Sequence, residues 1–400
     1  MYQISNAYFN SRQLDCKQKK MKNLVILGAG TSGTMMANHL VSKLPKKEWK
    51  ITIVDQYKTH YYQPGFLFLP FDIYSEDQVK KVGKKFIPKG VNYIQKKIEQ
   101  IFPEENKVEL EDETLQYDIL IVATGCKIAP QESEGMKGKN WHKTVFDFYT
   151  FEGSLALRNK LRDWKGGKMV VHFTEMPIKC PVAPLEFSFL ADDYFKKKGM
   201  RDKVEITYVT PLSGAFTKPT ATKKLNYLLE EKQINIVPDF NIMHVDNENK
   251  QIVGYDGVEV KYDLLVTVPT NMGDECIERS GLGDDLNFIP THHNTLQSLA
   301  HENIFVIGDA TNVPASKAGS VAHFEAEILT ENILKYIEGK DNISSEQKKQ
   351  TIAELQTKYQ LEKKENENGK KIKRYYCSQG KDIHQRKIDH ERFKLLNQKE

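Results

Sequence analysis

KNLVILGAGTSGTMMANHLVSKL, at residues 22–44, and ITIVDQ, at residues 51–56, decide the fold of this chain. The run KNLVIL predicts a short buried strand, and the glycine-rich turn after it leads into a segment of helical character. ITIVDQ predicts a second strand. A glycine-rich turn between a strand and a helix, with an acid at the end of the next strand, is a dinucleotide-binding fingerprint.

Four residues of this unit have separate physical tasks. Gly28 permits the tight turn, Gly30 lets a pyrophosphate approach the backbone, and Gly33 allows the helix to pack closely on the strand. The helix N-terminus offers N–H groups and partial positive charge to the phosphates. Asp55, which follows Gly33 by 22 residues, can accept hydrogen bonds from ribose hydroxyls.

Composition indicates a soluble globular protein with a polar appendage. Its 400 residues, 39% of them hydrophobic, suffice for two or three domains with a substantial core. Residues 341–400 carry 15 Lys and Arg against 10 Asp and Glu, so the net charge of +4 is concentrated there. These charges alternate in sign and form no basic block, and we therefore predict no nucleic-acid partner.

Neither a membrane span nor a metal site is predicted. No run of apolar residues approaches the roughly 18 that indicate a spanning helix, so membrane contact would be peripheral. The five cysteines are scattered without a CxxC pair, which argues against a disulfide framework and a structural zinc site. His292 and His293 are adjacent and lack ligand spacing.

Two later segments repeat the pattern of the first. YDILIVATG (Tyr117–Gly125) is an apolar strand that ends in a small-residue turn, and ENIFVIGDATNVPASKAG (Glu302–Gly319) is another that ends in Gly-Asp. Alone, each is an ordinary junction of strand and loop. Together with the fingerprint they resemble the second and third motifs of flavoproteins with two dinucleotide-binding domains, in which the late Gly-Asp holds the flavin ribitol.

This resemblance implies FAD as the cofactor. Asp309 would contact its ribitol, and a helix starting near Ser316 would point its N-terminus at the isoalloxazine ring. The predicted cofactor-binding residues are Gly28, Gly30, Gly33, Asp55, Ala123, Thr124, Gly125, Gly308 and Asp309.

The portion between these motifs has a strand–helix–strand pattern of its own. KMVVHF (168–173) and VEITYVT (204–210) predict its strands, but TEMPIKCPVAP (174–184) stands where a second set of glycines would be. The second strand ends at Thr210 rather than at an acid. Without glycines a pyrophosphate cannot approach the backbone, so we expect the domain fold to be kept and NADH binding to be lost.

The sequence therefore predicts an α/β fold with two Rossmann-like domains, a glutathione reductase-like FAD domain being split around the second, NAD-type domain. The predicted parts are an extension or targeting segment (1–20), the first part of the FAD domain (21–150), the second domain without an NAD fingerprint (151–275), the return part (276–338) and a charged helical or disordered tail (339–400). The first twenty residues weakly resemble a mitochondrial presequence. If they are one, we expect association with the mitochondrial inner membrane, and otherwise with the cytoplasmic face of a membrane.

Cys180 lies at the tip of the turn that replaces the second set of glycines, and a helix is predicted directly after it. A helix N-terminus lowers the pKa of a thiol and favours the nucleophilic thiolate. We therefore expect a reactive cysteine here, the alternative being a buried structural one.

At these motifs the chain resembles the sulfide:quinone oxidoreductases and flavocytochrome c sulfide dehydrogenase. The matching segments extend over about 22–338, and they are GAGTSG (28–33), HYYQPGFLF (60–68), MPIKCPVAPLEF (176–187), YVTPLSGAFTKP (208–219) and GDATNVPASKAGSVAHF (308–324). The resemblance implies a two-electron oxidation of sulfide, in which a pair of redox cysteines beside the flavin takes up the sulfur. A quinone then receives the electrons.

The same resemblance assigns roles to three residues. Cys180 matches the first cysteine of the pair, and Glu186 matches an acid near it that would accept a proton from hydrogen sulfide or a persulfide. Lys317 would stabilise negative charge on reduced flavin or quinone. The alternative for Glu186 is a surface carboxylate, and for Lys317 it is a solvated lysine. The aromatic residues of the loop at 60–68 form either a pocket wall or a core between domains.

The C-terminal part departs from the family pattern. The second redox cysteine is expected some forty residues after SKAG, before a membrane-dipping C-terminal domain, but residues 341–400 contain no Val, Pro, Trp or Met. Cys377 is the one late candidate, in the unmatched setting RYYCSQ. Two alternatives stay open: a type II NADH:quinone reductase, which the missing second fingerprint disfavours, and an FAD-binding family member without turnover. The sequence does not indicate an oligomeric state.

Overall fold

The computed structural model describes residues 20–340. The predicted targeting segment up to residue 19 and the charged tail from residue 341, with Cys377, lie outside these residues.

Three portions of the chain carry the regular structure. The first comprises β1 (Lys22–Leu27), α1 (Thr31–Lys43), β2 (Trp49–Val54), β3 (Thr59–Tyr61), α2 (Glu76–Val79), β4 (Lys80–Val82), β5 (Val91–Ile94), β6 (Ile98–Phe102), β7 (Lys107–Leu110), β8 (Thr114–Gln116), β9 (Ile119–Val122) and β10 (Cys126–Ile128). The second comprises β11 (Val145–Phe146), α3 (Phe151–Asp163), β12 (Gly167–Phe173), α4 (Ala183–Lys197), β13 (Val204–Val209), α5 (Pro219–Glu231), β14 (Ile234–Val237), β15 (Ile242–Asp246), β16 (Gln251–Gly254), β17 (Glu259–Lys261), β18 (Leu264–Val268) and β19 (Asn271–Gly273). The third comprises α6 (Glu275–Arg279), β20 (Ile304–Val306) and α7 (Gly319–Ile337).

The first sheet has five parallel strands in the order β20-β9-β1-β2-β5. One face packs against α1 and α7, and the other against the β6–β8 meander and α6. Strands covered on both faces need apolar residues, which is why β9 and the last four residues of β1 are continuous, buried apolar runs. The strand–turn–helix–strand unit predicted from residues 22–56 is therefore confirmed.

The second sheet also has five parallel strands, in the order β11-β18-β12-β13-β14. Helices α3 and α4 cover one face with a large aromatic core, and the three-stranded β15–β17 meander covers the other. Two such sheets confirm the predicted α/β fold with two Rossmann-like domains. Strand β11 joins this sheet although it precedes residue 151, the predicted start of the second domain.

A two-stranded antiparallel ribbon of β10 and β19 connects the two sheets, with Cys126 paired to Gly273. Strand β10 directly follows the turn at 123–125, and strand β19 follows the end of β18. Ligands of open parallel sheets bind outside the carboxyl ends of the strands. The turns after β1, β9 and β20 meet at that edge of the first sheet.

Candidate functional site

The glycine-rich turn after β1 leaves open space where a dinucleotide pyrophosphate would lie. Gly28 has a φ of 97°, and a side chain there would lie 2.5 Å from the Ala123 carbonyl oxygen. At Gly33 a side chain would overlap the carbonyl of Gly28, so close packing requires both glycines. A side chain at Gly30 would meet no protein atom within 4 Å, and no side chain caps the N-terminus of α1.

Asp55 closes this turn from the end of β2. Its carboxylate accepts hydrogen bonds from the N–H groups of Ala29 at 2.6 Å and Tyr57 at 2.8 Å. Burial raises the pKa of Asp55, although both backbone hydrogen bonds counteract this shift. An ionised carboxylate has about four lone-pair sites, so a ribose hydroxyl can still be accepted.

The turns after β9 and β20 supply the other side of the same space. The Thr124 hydroxyl is buried and has no hydrogen-bond partner among residues 20–340. The backbone of Gly125 is left-handed, with a φ of 69° and room beside it. Across from it, the N–H of Gly308 donates to Glu325 Oε2 at 2.8 Å, which fixes the turn before Asp309. An orphaned buried hydroxyl and open glycine positions fit a large polar cofactor such as FAD.

Asp309 has two lysine ammonium groups among its electrostatic neighbours. Its Oδ2 lies 3.9 Å from Cys126 Sγ. Burial raises the pKa of Asp309, while the ammonium groups of Lys179 and Lys317 lower it. Its carboxylate therefore faces a desolvated site that still contains compensating positive charge.

Cys180 belongs to the second domain but is hydrogen-bonded to the return part of the first. Its N–H donates to the Lys317 carbonyl oxygen at 2.8 Å, and the N–H of Lys179 donates to Asn271 Oδ1 at 3.0 Å. Cys180 has a φ of 45°, a left-handed conformation that non-glycine residues rarely adopt. The thiol-bearing turn is thereby held against the segment that follows Gly308 and Asp309.

The pKa of the Cys180 thiol differs from the one expected from the sequence. We predicted a lowered pKa, and the N–H groups of Ala183 and Val182 at the start of α4 do lower it. Cys180 is exposed as a residue, but partial desolvation of its sulfur and the nearby carboxylate of Glu186 raise the pKa more, so it lies above its ordinary value. Glu186 is exposed on the first turn of α4, and partial desolvation raises its pKa as well.

The side chain of Lys317 is hydrogen-bonded within the protein. Its ammonium group donates to the carbonyl oxygens of Asp309 at 3.0 Å and Thr311 at 2.8 Å, and it lies 3.7 Å from the ring centroid of Phe288. The alternative of a solvated lysine is wrong, because the side chain is buried. Helix α7 begins at Gly319, not near Ser316. Lys317 thus stabilises the loop before the helix, and burial lowers its pKa.

Three residues around Cys180 escaped the sequence reasoning. Lys179 donates to Gln63 Oε1 at 3.1 Å, and its ammonium lies 5.9 Å from the ring centroid of Tyr149. The Tyr149 hydroxyl donates to the carbonyl oxygen of Lys179 at 2.6 Å. Lys179 could have been noticed as the neighbour of Cys180. Tyr149 and Asn271 belong to no motif, and only the tertiary structure brings them to the turn.

The aromatic residues of the loop at 60–68 and two further cysteines have mixed surroundings. In the aromatic loop, Phe66 is buried against Phe151, whereas Tyr62 is 52% exposed. Cys126 is buried beside Asp309, and Cys276 is buried in α6. No group of three potential metal ligands occurs in residues 20–340.

Comparison with known proteins agrees with this architecture. Residues 22–171 match the family of pyridine nucleotide-disulphide oxidoreductases. The mitochondrial sulfide:quinone oxidoreductase of Dictyostelium discoideum is 28% identical over 339 residues, 83% of this chain and 75% of that protein. A sulfide-quinone reductase of Aquifex aeolicus is 25% identical over 305 residues, 73% of this chain and 69% of that protein.

A solved structure shows the same fold. The crystal structure of the sulfide:quinone oxidoreductase from Aquifex aeolicus superposes with a TM-score of 0.70 at 21% identity, covering 80% of this chain and 77% of that one. At identities of 23–28% to four of its members, the chain is similar to the sulfide:quinone oxidoreductase family, a group of flavoprotein oxidoreductases within the pyridine nucleotide-disulphide oxidoreductases.

Proposed function

We propose that this protein oxidises sulfide to sulfane sulfur or polysulfide with bound FAD and passes the electrons to a quinone. The observation that carries the proposal is the 2.8 Å hydrogen bond from Cys180 N–H to the Lys317 carbonyl oxygen. It holds the only exposed cysteine of residues 20–340 against the predicted flavin-binding segment. An NADH-dependent enzyme has no need of a thiol at this position.

The cofactor would be held by the three turns at the edge of the first sheet. Gly30 and the N-terminus of α1 would receive the pyrophosphate, Asp55 the adenosine ribose and Asp309 the ribitol. The unpartnered hydroxyl of Thr124 would gain a hydrogen-bond partner. When bound, FAD supplies a two-electron acceptor that can reduce a quinone.

Cys180 would act as the sulfur acceptor. In net terms, its thiolate and a hydrosulfide anion form a persulfide anion, with release of one proton and two electrons. Glu186 would take the proton, since its carboxylate lies close enough to raise the pKa of the thiol. The quinone finally takes up two electrons and two protons and leaves as a quinol.

The second domain supports this assignment over a type II NADH:quinone reductase. The turn at 174–181 has no glycine, and its Lys179 and Cys180 N–H groups are both already bonded within the protein. A pyrophosphate therefore cannot approach the backbone of this turn closely, and these two N–H groups are not free to bind it.

Membrane association is part of the proposal only as a peripheral contact. In the described part of the chain no helix is both long enough and apolar enough to cross a bilayer. The Dictyostelium relative is named as mitochondrial. We propose a mitochondrial inner-membrane association on that basis and on the presequence-like first twenty residues.

A sulfide titration tests the function. FAD-loaded protein is mixed with sulfide under anaerobic conditions, flavin absorbance is followed, and a soluble quinone is then added. Bleaching by sulfide with recovery on quinone addition is the expected result. An FAD-loaded protein whose spectrum sulfide leaves unchanged would be a family member without turnover, and the proposal would be wrong.

A further inference from the structure

We propose that Tyr149 is a positioning residue that fixes the Cys180 thiol by holding the peptide unit in front of it. This inference rests on the proposed function only in taking Cys180 as the reactive residue. Tyr149 is buried, and its hydroxyl donates to the carbonyl oxygen of Lys179 at 2.6 Å. The same hydroxyl lies 3.2 Å from the Cys180 carbonyl oxygen.

The peptide unit between Lys179 and Cys180 is thus held at both ends. Its carbonyl oxygen accepts the Tyr149 hydroxyl, and its N–H donates to the Lys317 carbonyl oxygen at 2.8 Å. The orientation of this unit defines the φ of Cys180, which is 45°. A left-handed conformation at a non-glycine residue persists only where the surrounding structure enforces it.

The hydroxyl of Tyr149 cannot follow this peptide unit if the unit rotates. Its own backbone N–H donates to Asp147 Oδ1 at 2.9 Å, next to the start of α3. Asp147 is fully buried and also accepts the N–H and hydroxyl of Thr150. The tyrosine ring packs edge-on against Phe148 at 5.1 Å. A rigid corner of the second domain therefore holds the turn.

The position of the thiol depends on this arrangement. In the observed conformation the backbone N–H groups of Val182 and Ala183 lower the pKa of the Cys180 thiol and favour its thiolate. The Ala183 N–H also donates to the Cys180 carbonyl oxygen at 2.9 Å, so the start of α4 lies directly against this residue. Rotation of the peptide unit before Cys180 would redirect its Cα–Cβ bond and take the sulfur away from these donors. The thiol would then titrate at higher pH and react more slowly near neutrality.

Tyr149→Phe removes the hydroxyl and keeps the ring. The charged groups facing the turn are Glu186 on α4, Lys179 beside the cysteine, and Asp309 and Lys317 of the return part. The substitution changes none of them. A suitable control is Tyr208→Phe, because Tyr208 is also buried near Tyr149 but its hydroxyl interacts with Thr210.

The test measures alkylation of Cys180 by iodoacetamide in FAD-loaded protein from pH 6.5 to 9.5, with the modified peptide quantified by mass spectrometry. We expect Tyr149→Phe to slow alkylation at pH 7.5 at least threefold and to move the profile to higher pH, with Tyr208→Phe following the wild type. An unchanged profile in Tyr149→Phe, or an equal shift in both variants, would overturn the proposal.

A double-mutant cycle covers the case in which Tyr149→Phe loses FAD or unfolds early. Glycine adopts the left-handed conformation without strain, so Cys180→Gly removes the need for the hydroxyl. The loss of Tm caused by Tyr149→Phe should therefore be at least halved in the Cys180→Gly background. An equal loss in both backgrounds would mean that Tyr149 only stabilises the domain. Neither readout depends on sulfide, so an inactive protein would contradict the proposed function and leave this test intact.

Discussion

The N–H of Cys180 donates to the carbonyl oxygen of Lys317 across 2.8 Å, although the two residues lie in different domains. In an NAD-binding domain the corresponding turn presents its backbone to a pyrophosphate. Here the backbone of that turn pairs with the segment before α7. The turn that would bind NADH in an NAD-binding domain thus contacts the segment predicted to bind FAD.

NADH should not reduce the flavin at a useful rate. The turn at 174–181 lacks glycines, and the N–H of Cys180 is already bonded. Stopped-flow mixing of FAD-loaded protein with excess NADH should leave the flavin absorbance unchanged on the timescale on which dithionite bleaches it. Rapid bleaching by NADH would support the type II reductase instead.

Gly30→Leu should give a folded protein without FAD. The side chain would enter the space predicted for the pyrophosphate and meet no protein atom near its Cβ. We therefore expect a cooperative thermal transition and no flavin absorbance after reconstitution with excess FAD. Gly33→Leu is the contrasting variant, because its side chain would overlap the Gly28 carbonyl and should prevent folding. Full flavin content in Gly30→Leu would exclude this turn as the FAD-binding site. A wild-type protein that stays colourless after reconstitution would exclude it as well.

The sequence could predict the parts of this site that depend on local pattern. Residues 22–56 determine their strand, turn and helix through the order of apolar residues and glycines, and the structure has the same elements there. The direction of the Lys317 side chain could not be predicted, because it depends on Phe288 and on carbonyl groups of a nonregular loop. The raised pKa of Cys180 likewise depends on partial desolvation of its sulfur and on the Glu186 carboxylate, which a helix N-terminus alone does not reveal.

Lys317→Met should destabilise the protein and weaken FAD retention. The substitution leaves the carbonyl groups of Asp309 and Thr311 without their ammonium donor. Losing buried hydrogen bonds to a charged group costs about 1.5–3 kcal/mol of unfolding free energy. Lys335→Met, at an exposed position of α7, should leave the free energy of unfolding within about 0.5 kcal/mol of the wild type. If Lys317→Met changes the flavin reduction potential and leaves stability intact, the lysine acts on the cofactor rather than on the loop.

Glu186→Gln should separate thiol reactivity from turnover. The Glu186 carboxylate raises the pKa of Cys180, so its neutralisation should lower that pKa and increase the thiolate fraction at pH 7.5. Alkylation of Cys180 at pH 7.5 should therefore be faster than in the wild type. Sulfide-dependent quinone reduction should fall, because the variant lacks the proposed proton acceptor. Asp193→Asn, which alters an exposed carboxylate on the same helix, should change neither rate. Loss of alkylation in Glu186→Gln would contradict the electrostatic argument.

The cysteines distinguish an active from an impaired enzyme. Cys126, Cys180 and Cys276 are free thiols in residues 20–340, and burial raises the pKa of Cys126 to about 12, which makes it a poor partner. If Cys180 acts alone, sulfide has no disulfide to attack. The reaction then lacks the covalent intermediate that divides one difficult step into two easier ones. Sulfide should then reduce the flavin slowly, and sustained quinone reduction should be weak.

If Cys180 acts alone, Cys180→Ser should suppress the remaining interaction between sulfide and flavin, and Cys377→Ser should have no effect. Both variants are measured by sulfide titration of the flavin spectrum and by the rate of quinone reduction. Equal FAD content is the control that both proteins are folded. If Cys377→Ser alone abolishes robust turnover, Cys377 is the second redox cysteine, and the segment after residue 340 completes the site instead of being a passive tail.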